Sequence, residues 1–259
     1  MLAGERRNKI LELLKTSQAI SVSELCTILE ASEATIRRDL TLLGNEGKLE
    51  RTHGGALFSE NKLNTEDKVN TRESMAIREK VWIAQQAFEL LEDHDSIILD
   101  AGTTTLELAK LIGQSKIHLS VITNSTIVFG ALAENPNLEL IMLGGKVRSN
   151  TLAVVGTVAD EMLKRFHVDK VFLGTNGITV DAGLTTSDMD EAQIKTTMLK
   201  SARQRIVLAD NTKFNKVYMN LIASLSMVDV LITDDETEDE TLKNIVDAYD
   251  IRVLKVEKR

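Results

Sequence analysis

The sequence predicts an α/β protein, with a small winged helix-turn-helix domain ahead of a larger domain built on a mainly parallel sheet. Two observations carry this. Residues 1–57 hold three short helical patterns followed by a basic stretch ending in Gly-Gly. Beyond about Met75, short apolar runs alternate with helical ones. A chain of 259 residues fits one or two domains, and 43% hydrophobic residues suffice for a substantial core. The reading assigns 1–57 to the DNA-binding type of domain, the polar stretch 58–74 to a linker, and 75–259 to the α/β domain.

Each element has a local reason. Ile10, Leu13 and Leu14 follow helical spacing after Glu5. Ser21 and Glu24 form a capping-box pattern, opening a second helix whose apolar stripe is Leu25, Ile28 and Leu29. Ser32 can cap a third helix, with Ile36, Leu40 and Leu43 on its inner face and Gly44 or Gly47 at its end. "KLERTHGGAL" then reads as a hairpin wing. In the second domain the apolar runs are "SIILD", "LSVITN", "LELIMLGG", "DKVFLG", "QRIVLAD", "DVLITD" and "IRVLKV". "TLELAKLI" and "TIVFGALAE" between them read as helices. Strands alternating with helices imply parallel pairing.

Composition narrows the function. No run of about 18 apolar residues offers a membrane span, and "MLAGERRNKI" lacks a signal-peptide apolar core. Cys26 is the only cysteine, so no intramolecular disulfide is expected and a reducing cytoplasm fits. His53, His94, His118 and His167 show no ligand-like spacing, so neither a metal site nor a cofactor is expected. The net charge of −8 is unevenly spread. In residues 1–57, Arg6, Arg7, Lys9, Lys15, Arg37, Arg38, Lys48 and Arg51 balance Glu5, Glu12, Glu24, Glu30, Glu33, Asp39, Glu46 and Glu50. The remainder therefore carries the whole excess. A neutral head binds DNA only through a focused basic face.

The third helix supplies such a face. With Ile36, Leu40 and Leu43 turned inward, Arg37, Arg38 and Thr41 face outward, with Thr35 at the edge. Arginine on a recognition helix can grip guanine or neutralise phosphate. Ser32 and Thr35 near the helix start can donate to a phosphate. Arg51 and His53 in the wing can follow the neighbouring backbone, and Gly54 and Gly55 let the turn approach closely. An exposed Arg-Arg pair is also what an ordinary solvated helix presents, and Asp39 can pair with a nearby arginine.

A second constellation lies at the predicted strand ends. "DAGTTTLEL" runs from Asp100 through Gly102, Thr103, Thr104 and Thr105 into a helix. Backbone N–H groups and hydroxyls at such a start hold anions, phosphate above all, although the threonines can equally be plain caps. Other strand ends add Asn124 and Ser125; Gly144, Gly145, Lys146 and Arg148; and Thr175, Asn176 and Gly177. Asp210 and Lys213 come later in the chain. Glu191 and Lys195 lie one helical turn apart, either as pocket residues or as an i, i+4 pair. Ligands of open parallel sheets bind beyond the strands' carboxyl ends. Hydroxyls, amides and charges gathered there suit a polyhydroxylated anion.

Residues 1–57 resemble the DNA-binding domain of the DeoR family of bacterial transcriptional regulators. The resemblance rests on Arg6, Ile10 and Leu14, then Ser32, Thr35, Ile36, Arg37, Arg38, Asp39 and Leu40, then His53, Gly54, Gly55 and Ala56. The second domain resembles the family's effector domain, which is similar in fold to ribose-5-phosphate isomerase. It does so through 100–104, 123–125, 144–148, 174–178, 191–195 and 210–214. Thr212 stands where the family usually has serine, and "FNK" where it often has F-G-R. The resemblance implies a cytoplasmic repressor of a sugar operon that binds operator DNA as a homo-oligomer, dimer or tetramer, and is relieved by a phosphorylated sugar. Two alternatives remain open. One is a sugar-phosphate isomerase with an accessory helical domain, weakened because Asn176 stands where similar isomerases place an acid. The other is a sugar-phosphate sensor acting through protein contacts, its head a dimerisation module.

Overall fold

The computed structural model describes residues 3–17, 19–45, 49–52, 54–58 and 69–257. Two units, Met1–Thr65 and Glu66–Arg259, each have their own core. In the first, α1 (Ala3–Ser17), β1 (Ala19–Ser21), α2 (Val22–Leu29) and α3 (Glu33–Asn45) precede a hairpin of β2 (Leu49–Arg51) and β3 (Gly55–Phe58). The capping box forms as expected. Ser21 N donates to Glu24 Oε2 at 2.8 Å, and Glu24 N to Ser21 Oγ at 3.2 Å. Ile10, Leu14, Leu25, Leu29, Ile36, Leu40 and Leu43 form the buried core. Ile28, expected in the α2 stripe, is 51% exposed. Val22, Leu25 and Leu29 centre that stripe, and at about 100° per residue Ile28 falls roughly a quarter-turn away.

The wing is three-stranded rather than a bare hairpin, in the order β1-β3-β2. The sequence reading missed β1, whose three residues are too short to show an alternating pattern. Its presence changes the reason for Gly55. A Cβ there would lie 2.2 Å from the Ile20 carbonyl oxygen, so Gly55 admits β1. Gly54 is the exposed glycine at this turn, and its carbonyl accepts from Val22 N at 2.9 Å.

The second unit opens with α4 (Val69–Ser74) and α5 (Ile77–Phe88). The span read as linker thus ends in a helix, held because Val69 is buried and its N–H donates to Asn150 O at 2.8 Å. There follow β4 (Ser96–Leu99), α6 (Thr103–Gly113), β5 (Leu119–Thr123), α7 (Thr126–Leu132), β6 (Leu138–Met142), β7 (Lys146–Val147), β8 (Val154–Val155), α8 (Thr157–Leu163) and β9 (Val168–Gly174). The chain continues through β10 (Gly177–Thr179), β11 (Gly183–Thr186), α9 (Met189–Ser201), β12 (Ala202–Leu208), β13 (Asn220–Ala223), β14 (Val230–Asp234), α10 (Asp239–Ala248) and β15 (Arg252–Val256). Among these described residues no helix is long and apolar enough to cross a membrane.

The seven apolar runs become a seven-stranded, wholly parallel sheet, ordered β15-β14-β12-β9-β4-β5-β6. Successive residues point to opposite faces. Ile97, Leu99, Phe172, Ile206 and Leu208 pack with Ile83, Leu108 and Leu132 of α5, α6 and α7. Ile98, Val171, Leu173 and Val207 pack with Leu163, Met198 and Leu242 of α8, α9 and α10. Both faces are covered, which is why the strands read as near-continuous apolar runs. From β4 the chain builds outward to β5 and β6. It then returns to β9 on β4's other side and continues outward through β12, β14 and β15. The gap between β4 and β9 is the topological switch point, where the carboxyl ends of such sheets form a crevice.

Candidate functional site

On α3 the structure sorts the charges cleanly. Thr35 N donates to the Ser32 side chain at 3.3 Å, and the two hydroxyls lie 2.8 Å apart. Asp39 is buried and paired with Arg6 of α1 at 2.6 Å, leaving the Arg-Arg pair out of its reach. Arg38 is exposed. Arg37 pairs at 2.7 Å with Glu33 on the solvent side, one turn back, an exchangeable pairing that water screens. Thr41 donates to the Arg37 carbonyl at 2.7 Å. Arg37 and Arg38 are thus exposed on α3 and Thr35 and Thr41 half-buried, with Ser32 just ahead of the helix. The side chain of Arg51, and all of His53, lie outside the described residues.

At the switch point, Asp100 directly follows β4 and Gly174 ends β9. Asp100 Oδ2 accepts from Gly174 N at 3.0 Å and from the ammonium of Lys195. Lys195 also donates to Gly174 O at 2.9 Å, and both charged side chains are almost fully buried. The i, i+4 pair is not made. Glu191 instead receives Arg148 and, at 2.7 Å, Thr151 Oγ1, while Arg148 also reaches Asp188 at 3.3 Å. One face of α9 thus plants two opposite charges on two different walls. Gly145, at φ +149, places the β7 turn where a Cβ would come within 3.0 Å of Val155 O.

The threonine turn splits into two roles. Thr105 Oγ1 accepts from Gly102 N at 2.9 Å and lies 2.6 Å from the Asp100 carbonyl, so it is a structural cap. Thr103 and Thr104 are buried at the start of α6. Ser125 caps α7 by accepting from Val128 N at 3.3 Å, and Asn124 Nδ2 donates to Val154 O at 3.1 Å. Asn176 N donates to Thr185 O at 3.2 Å. Asp210 accepts from Thr212 N at 3.1 Å, with Lys213 Nζ 3.8 Å from its other oxygen.

The strand ends also hold buried polar atoms that meet no hydrogen-bond partner among the described residues. They are Asp100 Oδ1 after β4, Asn124 Oδ1 after β5, Asp210 Oδ2 after β12, Thr186 Oγ1 at the end of β11, Ser187 Oγ just beyond it, and Asp235 Oδ1 after β14. Such atoms are rare in folded proteins and costly unless a ligand meets them. Four of the six are carboxylate or amide oxygens, which only accept; hydroxyl donors match them.

Sequence reasoning missed Thr151, Thr186, Ser187, Asp188 and Lys80. Lys80 had a visible signal, since it shares a helical face with the buried Ile83, Ala84 and Ala87. It also missed that the histidines meet. His94 and His118 stack at 5.4 Å beside Asp93, exposed, at the opposite edge of the sheet.

A helix-turn-helix with an exposed arginine pair in one unit, and buried polar groups gathered at the carboxyl edge of a parallel sheet in the other, fit a ligand-sensing, DNA-binding regulator. Residues 6–62 match the DeoR-like helix-turn-helix domain, and residues 75–235 match the DeoR C terminal sensor domain. The HTH-type transcriptional regulator FruR of Bacillus subtilis is 35% identical over 98% of this chain and 100% of its own. The lactose phosphotransferase system repressor of Lactococcus lactis is 36% identical over 92% and 93%. A more distant likeness in fold is to a probable sor operon regulator from Shigella flexneri, at TM-score 0.43 and 14% identity over 71% and 90%. Another is to ribose 5-phosphate isomerase A of Methanocaldococcus jannaschii, at 0.39 and 18% over 52% and 53%. The chain belongs to the DeoR family of transcriptional regulators.

Proposed function

We propose that the protein represses a sugar-utilisation operon in the cytoplasm and that a phosphorylated sugar, held in the carboxyl-edge crevice, relieves repression. The observation that carries this is the set of buried side-chain oxygens at strand ends that lack a hydrogen-bond partner among the described residues. Sugar hydroxyls are the donors they require. The helix start at Gly102–Thr104, with Arg148, Lys195 and Lys213, supplies donors and positive charge for the phosphate. Relatives named as repressors of sugar systems, including the putative aga operon transcriptional repressor of Escherichia coli, support the same reading. Ser32, Thr35, Arg37, Arg38, Thr41, Arg51, His53 and Gly54 are assigned to operator DNA. The effector set is Asp100, Gly102, Thr103, Thr104, Thr105, Asn124, Ser125, Gly145, Arg148, Asn176, Glu191, Lys195, Asp210 and Lys213, with Thr105 and Ser125 acting as caps.

The role is regulatory rather than catalytic. Asp100 and Glu191 are both committed to cations, and Asn176 is no base at neutral pH. A homo-oligomer is supported by exposed apolar residues on adjoining elements. These are Val158 of α8, Met189 of α9 and Leu221 of the edge strand β13, each more than 60% exposed. A thermal-shift screen of phosphorylated sugars tests the effector assignment. One compound raises the melting temperature of the protein by several degrees, and its dephosphorylated form does not. Equal shifts from both forms, or none across the set, contradict the assignment.

A further inference from the structure

The amino edge of the parallel sheet, opposite the crevice, carries a cluster that the proposed regulation leaves unused. Asp93 and His94 lie in the corner between α5 and β4, and His118 stands directly before β5. Each offers one ligand atom, and these atoms lie within 4.8 Å of one another. It is the one such group of three among the described residues.

Backbone hydrogen bonds fix the cluster before any ligand arrives. His94 N donates to His118 O at 2.7 Å, His118 N to Asp93 Oδ1 at 2.7 Å, and Ser120 N to Asp95 O at 3.0 Å. Asp93 and His118, so joined, are 25 residues apart in the chain. His94 holds φ 70, a left-handed conformation uncommon for any residue but glycine. The side chains themselves are exposed, 78% for His94, 56% for Asp93 and 54% for His118. An ion from solvent therefore reaches them without any part of the fold opening.

The distances suit a small divalent ion. One oxygen of Asp93 lies 3.4 Å from His94 Nε2, and the other lies 3.2 Å from His118 Nδ1. Ligands held tetrahedrally at about 2.0–2.1 Å from zinc stand about 3.3 Å apart. The two imidazole rings are inclined by only 22°, with centres 5.4 Å apart, so rotation of either exposed ring closes the third edge. A lone histidine–aspartate contact is ordinary on a surface. Here one carboxylate contacts two imidazoles. That donor set favours zinc, nickel, cobalt or copper over magnesium and calcium, which take oxygen ligands.

We infer that Asp93, His94 and His118 form a binding site for a divalent transition-metal ion, zinc by the fit of its distances, with water completing the coordination. Bound there, the ion cross-links the α5–β4 corner to the start of β5. The site lies away from the crevice, so the inference stands apart from the effector assignment.

The test is calorimetric titration of the full-length, untagged, chelator-stripped protein with zinc chloride. One equivalent binds per chain, and magnesium chloride does not bind. Backbone hydrogen exchange slows several-fold over residues 93–96 and 118–120 when zinc is added. His118→Ala and His94→Asn each remove a ligand; asparagine is chosen because it accepts the left-handed conformation. Each lowers zinc affinity at least about tenfold, since losing even a supporting partner of a metal ligand does as much. Asp93→Asn, whose amide oxygen still accepts from His118 N, weakens zinc in the same way. His167→Ala, at an exposed histidine outside the cluster, leaves the affinity unchanged. No zinc binding by the wild-type protein overturns the inference. So does an affinity unaltered in both His118→Ala and His94→Asn, or slowed exchange confined to other segments.

Discussion

At the scale of the residue, the carboxyl edge of the sheet is organised by buried charges that pair across elements distant in the chain. Asp100 and Lys195 form the clearest case, joining the ends of β4 and β9 through α9. Removing one partner strands the other in a low-dielectric site. Asp100→Asn is expected to cost about 3–5 kcal/mol in urea unfolding. The double variant Asp100→Asn with Lys195→Met should recover a large part of that loss. A single-variant cost below about 1 kcal/mol would show the pair to be solvated and the crevice open. The residues of this site were legible in the sequence as types at strand ends, but their pairing was not. Glu191 and Lys195 are one turn apart, yet each reaches a partner tens of residues away. Only the sheet order brings those partners near. Lys80 was legible in principle as a charge on an apolar helical face, and Thr186 and Ser187 only through their burial.

At the scale of the element, all seven parallel strands were readable because burial on both faces writes continuous apolar runs into the chain. The short strands β1, β7, β8, β10, β11 and β13 were not, since two to four residues carry no periodicity and their pairing is set by distant partners. The join between β12 and β14 shows what holds neighbouring strands in register beyond apolar packing. Asp229 accepts from Arg205 N at 2.7 Å and grips its guanidinium at 2.8 and 2.7 Å. The hydrogen bonds from the Arg205 side chain hold the Asp229 carboxyl below the usual aspartate range. A carboxylate shifted downward stabilises the fold fully above its unfolded pKa of about 3.9, and that contribution fades as pH falls through the lower folded value. Asp229→Asn should therefore lower stability at neutral pH by about 1 kcal/mol, a modest figure because the pair is partly exposed and screened. It should also flatten the acid limb of the stability profile below about pH 4. Chemical denaturation at pH 7 and pH 3 checks this; a variant whose deficit persists undiminished at pH 3 contradicts it.

At the scale of the whole molecule, a chain of net charge −8 presents a DNA-binding unit whose local charge is balanced. We assign the work of attraction to the exposed Arg37 and Arg38 of α3. With Ile36, Leu40 and Leu43 in the core and Asp39 buried against Arg6, Arg37 and Arg38 remain exposed. The central claim is that an anionic sugar in the crevice governs the hold of these arginines on DNA. The most direct measurement is fluorescence anisotropy of the full-length protein on the DNA upstream of its own coding sequence. The titrants are the phosphorylated sugar found by thermal shift and its dephosphorylated form. The account predicts salt-sensitive binding that collapses in Arg37→Ala with Arg38→Ala, and release of wild-type protein by the phosphorylated sugar alone. DNA affinity unchanged by that sugar at saturation, or undiminished in the double-alanine variant, would contradict it.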